Sequence, residues 1–170
     1  MTIQKELLLL RHGKSDWNTD SSDFNRPLNK RGRLNAQQMG LWLKKQNIAP
    51  DLIISSPATR ALSTAEIICK ALGISAQTIQ TDKLIYQASL ADLNRVMLTV
   101  PDSVQRLLLV GHNPGLESLV SLLAPNAPYS ANGKLMPTAA LAYFQLDSHR
   151  SSLQGDYWVQ RVKDLGSFEK

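Results

Sequence analysis

The sequence predicts a three-layer α/β/α sandwich with a mostly parallel sheet, and three observations carry that expectation. Residues 7–10 are four leucines in a row, too few for a helix and ended abruptly by Arg11-His12-Gly13. Such a run reads as a strand buried on both faces of a parallel sheet. Residues 106–110, Arg-Leu-Leu-Leu-Val, repeat the pattern and are again followed at once by Gly111-His112. Around these two runs, helical periodicity alternates with short apolar stretches in the order βαβαβαβαββ, with no linker and no internal repeat. The expectation is one domain over residues 1–170.

The elements follow in order. A polar loop occupies 14–29, and Asn29 caps a helix over 30–46 whose apolar positions are Leu34, Met39, Leu41, Trp42 and Leu43. A short strand at 51–55 leads to Ser56-Pro57, read as an N-cap followed by proline at the first helical position. Ala61, Ala65, Ile68 and Leu72 then recur at helical spacing until Gly73 ends the helix, which sets Arg60 in its first turns. Residues 76–81 alternate as a third strand, and Ser89 caps a helix to 99 that Pro101 breaks. After the strand at 106–110 a helix runs to about 123, and 124–137 reads as irregular surface. Strands at 140–146 and 157–162 close the chain as a hairpin, and His149 in the polar loop between them reads as solvated.

Composition narrows the function classes. At 43% hydrophobic and 19% charged, this is the composition of a soluble globular chain. The leucine run is too short for a signal segment or a membrane span, so the expected place is the cytoplasm, without membrane attachment. The lone Cys69 excludes an intrachain disulfide, and its setting, Ile-Ile-Cys-Lys-Ala-Leu, suggests a small buried apolar residue. It is no phosphatase cysteine, because a Cys-x5-Arg loop needs arginine at position 75, which is Ser75. Of a net charge of +5, six cations fall between Arg11 and Arg33, offset there only by Asp16, Asp20 and Asp23. Such a field attracts anionic substrates or acidic protein partners, or is simply a solvated basic face. Nucleic acid is disfavoured, for there is no basic run and no aromatic platform.

The chemistry lies where strands end. In an open α/β sheet the carboxyl ends of parallel strands share one edge, and ligands bind there. Arg11 and His12 follow the first strand, Arg60 the second, and His112 the fourth. Two guanidinium forks and two imidazoles suit a tetrahedral phosphoryl group, which needs charge complementarity on its oxygens and an in-line nucleophile. Two histidines without a carboxylate cluster make a poor metal site, so neither a metal nor any other cofactor is expected.

Longer motifs extend these residues: Leu-Arg-His-Gly-Lys-Ser-x-Trp-Asn at 10–18, Arg-Pro-Leu-Asn-Lys-Arg-Gly at 26–32, Ser-Ser-Pro-x-x-Arg-Ala-x-x-Thr-Ala at 55–65, Val-Gly-His-Asn-Pro-Gly-Leu-Glu at 110–117 and Pro-Thr-Ala-Ala at 137–140. Together they resemble the histidine phosphatase superfamily, with its phosphoglycerate mutase-like fold, and within it the small SixA-type phosphohistidine phosphatases. The resemblance implies that His12 is the nucleophile, phosphorylated in passing, and that Arg11, Arg60 and His112 form a pocket for phosphate or another oxyanion. It implies binding roles for Asn18 and Asn113, and a phosphohistidine-bearing signalling or phosphotransfer protein as partner.

Two departures refine the expectation. Superfamily members commonly carry a catalytic glutamate after the third strand or an aspartate after the second histidine, whereas here 84–88 is Leu-Ile-Tyr-Gln-Ala and Asn113 follows His112. A departing alkoxide needs a proton badly, but a phosphorylated imidazole has a labile P–N bond, so the missing acid favours phosphohistidine unless Asp16 or Asp20 stands in. The stretch between the third and fourth strands holds one helix and no lid, and an uncovered pocket can admit another protein's side chain. The alternatives are a small-molecule phosphomonoesterase with the same His12 chemistry and a non-catalytic module that binds phosphoproteins.

Overall fold

In the computed structural model, which describes residues 4–166, the leucine run is the centre of the molecule. Strand β1 (Lys5–Arg11) pairs in parallel with β4 (Arg106–Gly111) on one side and antiparallel with β5 (Leu141–Leu146) on the other. Beyond β4 lie β2 (Leu52–Ser55) and β3 (Ile79–Thr81), and beyond β5 lies β6 (Leu153–Gln160), giving the order β3-β2-β4-β1-β5-β6. The first four of these are mutually parallel, so the carboxyl ends of β1, β2 and β4 meet on one edge, as the sequence predicts.

Alternation along the strands splits the core in two. Leu7 and Leu9 face Leu107, Leu109 and the helices α3 (Leu90–Leu98) and α4 (Gly115–Leu123), whose Leu93, Val96, Leu116 and Val120 are buried there. Leu8 and Leu10 face Leu108, Val110 and the helices α1 (Lys30–Lys45) and α2 (Thr59–Leu72), through Met39, Leu43, Ala65 and Ile68. All four leucines are fully buried, which explains an unbroken apolar run. Cys69 belongs to the second cluster and is buried, as expected.

Helix caps follow the sequence in two cases. Asn29 Oδ1 accepts the Gly32 N–H at 2.8 Å, and Ser89 forms a reciprocal capping box with Asp92. The expectation for α2 needs correction. That helix begins at Thr59 with Ala58 as its N-cap and no side-chain cap; Ser56 lies two residues earlier, where its Oγ accepts the Ala58 N–H and faces His112. The third strand is shorter than expected: Ala76–Thr78 form a 3-10 turn and only Ile79–Thr81 pair with β2. Strand β6 starts at Leu153, four residues early, because an edge strand tolerates the polar Gln154-Gly155-Asp156 that resembles a loop. The hairpin loop is correspondingly short, with His149 exposed in it.

One helix-to-loop contact positions the site directly. A β-carbon on Gly32 would lie 2.1 Å from the Lys14 carbonyl oxygen, and one on Gly13 would lie 2.6 Å from the Gly32 carbonyl oxygen. The first turn of α1 therefore presses backbone to backbone on the turn that follows β1.

Candidate active site

His12 leaves the end of β1 and lies 7% exposed. Its Nδ1 is 2.7 Å from the Gly13 carbonyl oxygen, which can only accept, so the proton sits on Nδ1 and the lone pair on Nε2. Gly13 is held in turn: its N–H donates to Thr64 Oγ1 at 3.0 Å, and that hydroxyl donates to the Arg60 carbonyl at 2.7 Å. The nucleophile's loop and the arginine's helix are thus tied through one threonine.

Arg60, in the first turn of α2, is 5% exposed and donates from Nε to His12 Nε2 at 3.3 Å. The rest of its fork goes to Asp23: Nη1 to the backbone carbonyl at 2.6 Å and Nη2 to Oδ2 at 3.2 Å. Asp23 also takes Arg26 at 3.0 Å and the Tyr86 hydroxyl at 2.7 Å. The Tyr86 hydrogen bond, with Arg60 and Arg26, holds the Asp23 carboxyl below its ordinary value, and the same bond pushes the Tyr86 hydroxyl up. Tyr86 stands in the segment after β3 where superfamily members commonly carry a glutamate, and its ring packs edge-on to His112 with centroids 5.7 Å apart.

His112 follows β4, its ring 5.0 Å from that of His12. Its Nε2 is 2.8 Å from Ser56 Oγ, and because that oxygen already accepts the Ala58 N–H at 3.2 Å, the serine proton is free to point at Nε2. With the serine proton on that bond, His112 Nδ1 carries the N–H, buried and without a partner among the described residues, and can donate to an anion. Arg11 spends Nη1 on the Met136 carbonyl at 2.9 Å while its buried Nε has no partner among the described residues. Asn113 likewise donates Nδ2 to the Met136 carbonyl at 2.9 Å, and its Oδ1 has none among them either.

Burial sets the electrostatics. Desolvation, aided by the neighbouring cations, pushes His12 down to about 3 and His112 to about 4. Burial also lowers Arg11 from its ordinary value. Both imidazoles are neutral at physiological pH.

A cavity of about 770 Å³ opens over these groups and includes Arg11, His12, Arg60, His112 and Asn113 in its wall. Asn18 is not in that wall: it is exposed, and its N–H donates to Asp16 Oδ1 at 2.9 Å in a turn. Among the described residues eight Lys and Arg line the cavity and no Asp or Glu does, Asp16 and Asp20 included. Among the described residues no group of three or more His, Cys, Asp or Glu could hold a metal ion. Among the described residues no helix is long and apolar enough to cross a membrane.

Sequence reasoning missed Asp23, Tyr86, Ser56 and Thr64. Thr64 had a signal, since it stands four residues after Arg60 and so on the same helix face. Asp23 had none beyond its distance of three from Arg26 in an aperiodic loop.

Residues 7–86 match the family model of the histidine phosphatase superfamily (branch 1). An uncharacterised protein of Mycobacterium tuberculosis is 30% identical over 85% of this chain and 92% of its own length. Among solved structures, one described as the putative phosphohistidine phosphatase SixA of Agrobacterium tumefaciens is 28% identical with a TM-score of 0.71, over 85% of this chain and 92% of that one. The protein histidine phosphatase SixA complexed with tungstate shares the fold at 22% identity and a TM-score of 0.79, over 95% of this chain and 99% of that one. The chain belongs to the histidine phosphatase superfamily, has a phosphoglycerate mutase-like fold, and is similar in structure to the small SixA proteins.

Proposed function

We propose that the chain is a protein phosphohistidine phosphatase working through a covalent phospho-His12 intermediate without a metal. The observation that carries this reading is the cavity wall, where the described residues offer a nucleophile and an oxyanion clamp but no carboxylic acid, while the nearby Asp23 is held ionised by Tyr86, Arg60 and Arg26 and has no proton to give. A phosphoester cannot easily lose its alkoxide there. A phosphohistidine can, because its second ring nitrogen takes a proton from solvent and the imidazole departs neutral.

The steps balance on that basis. The lone pair on His12 Nε2 attacks phosphorus while the substrate's P–N bond breaks, so one phosphoramidate replaces another. Arg60 Nε–H, which caps that lone pair in the free protein, moves to a phosphoryl oxygen together with Arg11 and the His112 Nδ1–H. The Nδ1–H bond to Gly13 keeps the phosphorylated ring cationic, which makes it a good leaving group. Water then attacks, the P–Nε2 bond breaks, and phosphate and one proton are released.

The test compares a phosphohistidine-carrying protein, free phosphoramidate and phosphoserine as substrates, with quenching during turnover at neutral pH. Phosphohistidine and phosphoramidate should turn over fastest, and phosphate should be trapped on His12, stable to base and lost in acid. His12→Ala should abolish both label and turnover, and a chelator should change neither. Faster turnover of phosphoserine, or label on another residue only, overturns the reading.

A further inference from the structure

The groove is far larger than one phosphoryl group requires, and beyond the His12 end its rim is positive. Lys14, Arg31, Lys134 and Lys163 are all exposed and all line the cavity. They arrive from four segments: the turn after β1, the first turn of α1, the loop before β5, and the 3-10 turn Val162–Asp164 after β6. Among the described residues no carboxylate pairs with any of them. The nearby Asp23 is already taken by Arg60 and Arg26. Four unneutralised cations around one mouth repel each other in the free protein, and that repulsion is relieved by an anionic surface.

A second feature shares the rim. Trp17 is 73% exposed, an unusual state for so large an apolar side chain, and the Arg26 guanidinium lies 3.6 Å over its ring. Trp and Arg are the side chains most enriched at the energetic centres of protein interfaces.

We propose that this rim is a docking surface for a protein domain whose phosphohistidine is ringed by carboxylates, with Trp17 as the apolar anchor; the proposal rests on the phosphohistidine reading of the same site. A small phosphorylated metabolite neutralises only the Arg11 and Arg60 end and leaves the rim cations without a partner. A nucleic acid tracks a continuous basic stripe, whereas these cations encircle a hollow.

The experiment uses two synthetic peptides, each with one phosphohistidine, flanked by glutamates in one and by glutamines in the other. At low salt the glutamate peptide should have a kcat/KM about 10-fold higher, and added salt should erase the preference. Arg31→Glu combined with Lys163→Glu should erase or invert the ratio between the peptides, and Trp17→Ala should lower affinity for the glutamate peptide. Binding of both peptides in unphosphorylated form to the His12→Ala protein gives a readout independent of turnover. If neither peptide is hydrolysed but the binding preference persists, the substrate reading fails and the docking surface stands. Equal kcat/KM and equal binding for the two peptides, an unchanged ratio in the charge-reversed protein, or tighter binding of a single-stranded oligonucleotide overturns the proposal.

Discussion

At the scale of single residues, the site divides into groups that touch phosphate and groups that aim them. Arg60 belongs to the first, and Arg60→Lys keeps the charge while losing the fork that spans His12 and Asp23. The expected loss in kcat/KM is about 100-fold, which corresponds to about 2.7 kcal/mol of transition-state stabilisation. Near wild-type kinetics would remove Arg60 from the clamp. Asp23 belongs to the second group, because it meets Arg60, Arg26 and Tyr86 from a half-exposed loop position. Asp23→Asn should therefore lower kcat/KM by about 10-fold, roughly 1.4 kcal/mol, and should also lower Tm, because it removes the counter-charge of the buried Arg60 guanidinium. Replacing Tyr86 by Glu probes the absent acid. Single-turnover rates of the unaltered protein should fall steeply as the leaving group becomes more basic, and Tyr86→Glu should flatten that dependence. A flat dependence in the unaltered protein would reveal a proton donor already at work.

At the scale of elements, the legible parts were those fixed by short-range pattern. Leu7 to Leu10 and Leu107 to Val110 could only be buried strands, and two such strands in parallel put His12 and His112 on one edge whatever their separation in sequence. Asn29 and Ser89 announced their helices because a capping side chain acts within three residues. What pattern could not show was the use of a residue by a distant one. Ser56 has the composition of a cap, yet its hydroxyl serves His112, which lies far along the chain. Asp23 sits in a stretch without period, so nothing local marks it as the residue that holds Arg60. Asn18 is the converse: a residue carried by a motif that stands exposed in a turn outside the cavity wall. The packing of α1 on the turn after β1 is likewise invisible until both glycines are seen together. Gly32→Ala inserts a methyl group 2.1 Å from the Lys14 carbonyl oxygen, which is backbone and cannot swing aside. It should cost about 1–3 kcal/mol in urea unfolding and reduce activity as well, because the shifted segment carries the Gly13 carbonyl that fixes the His12 tautomer. Loss of stability with full activity would show that the turn and the nucleophile are uncoupled.

At the scale of the whole molecule, a site assembled from three strand ends exists only in the folded chain, so its electrostatic cost appears as a pH dependence of folding. His12 and His112 are driven down to about 3 and about 4 by burial next to Arg60 and Arg11, whereas in the unfolded chain both return to an ordinary value near 6.5. Between those values the unfolded state binds protons that the folded state refuses. Stability therefore rises with pH across the window, is complete above about 7, and is lost as the pH falls from about 6.5 toward 4. With both histidines contributing, the expected slope between pH 6 and 5 is about 2 kcal/mol per pH unit. Asp147, held down to about 2 by Ser151 and Ser152 against the effect of burial, acts in the same direction but at lower pH, below the ordinary carboxylate range. The interval from pH 6.5 to 5 thus isolates the imidazoles. Urea unfolding across it should show a falling midpoint for the unaltered protein and a nearly level one for a His12→Gln, His112→Gln double variant. Saturating inorganic phosphate should flatten the slope as well, because an anion in the clamp favours protonated imidazole and offsets the cationic field of Arg60 and Arg11 that the two rings otherwise face. A level midpoint in the unaltered protein without phosphate would mean that water or an anion already reaches the two rings, and that His12 is not the desolvated nucleophile on which the two-step reaction depends.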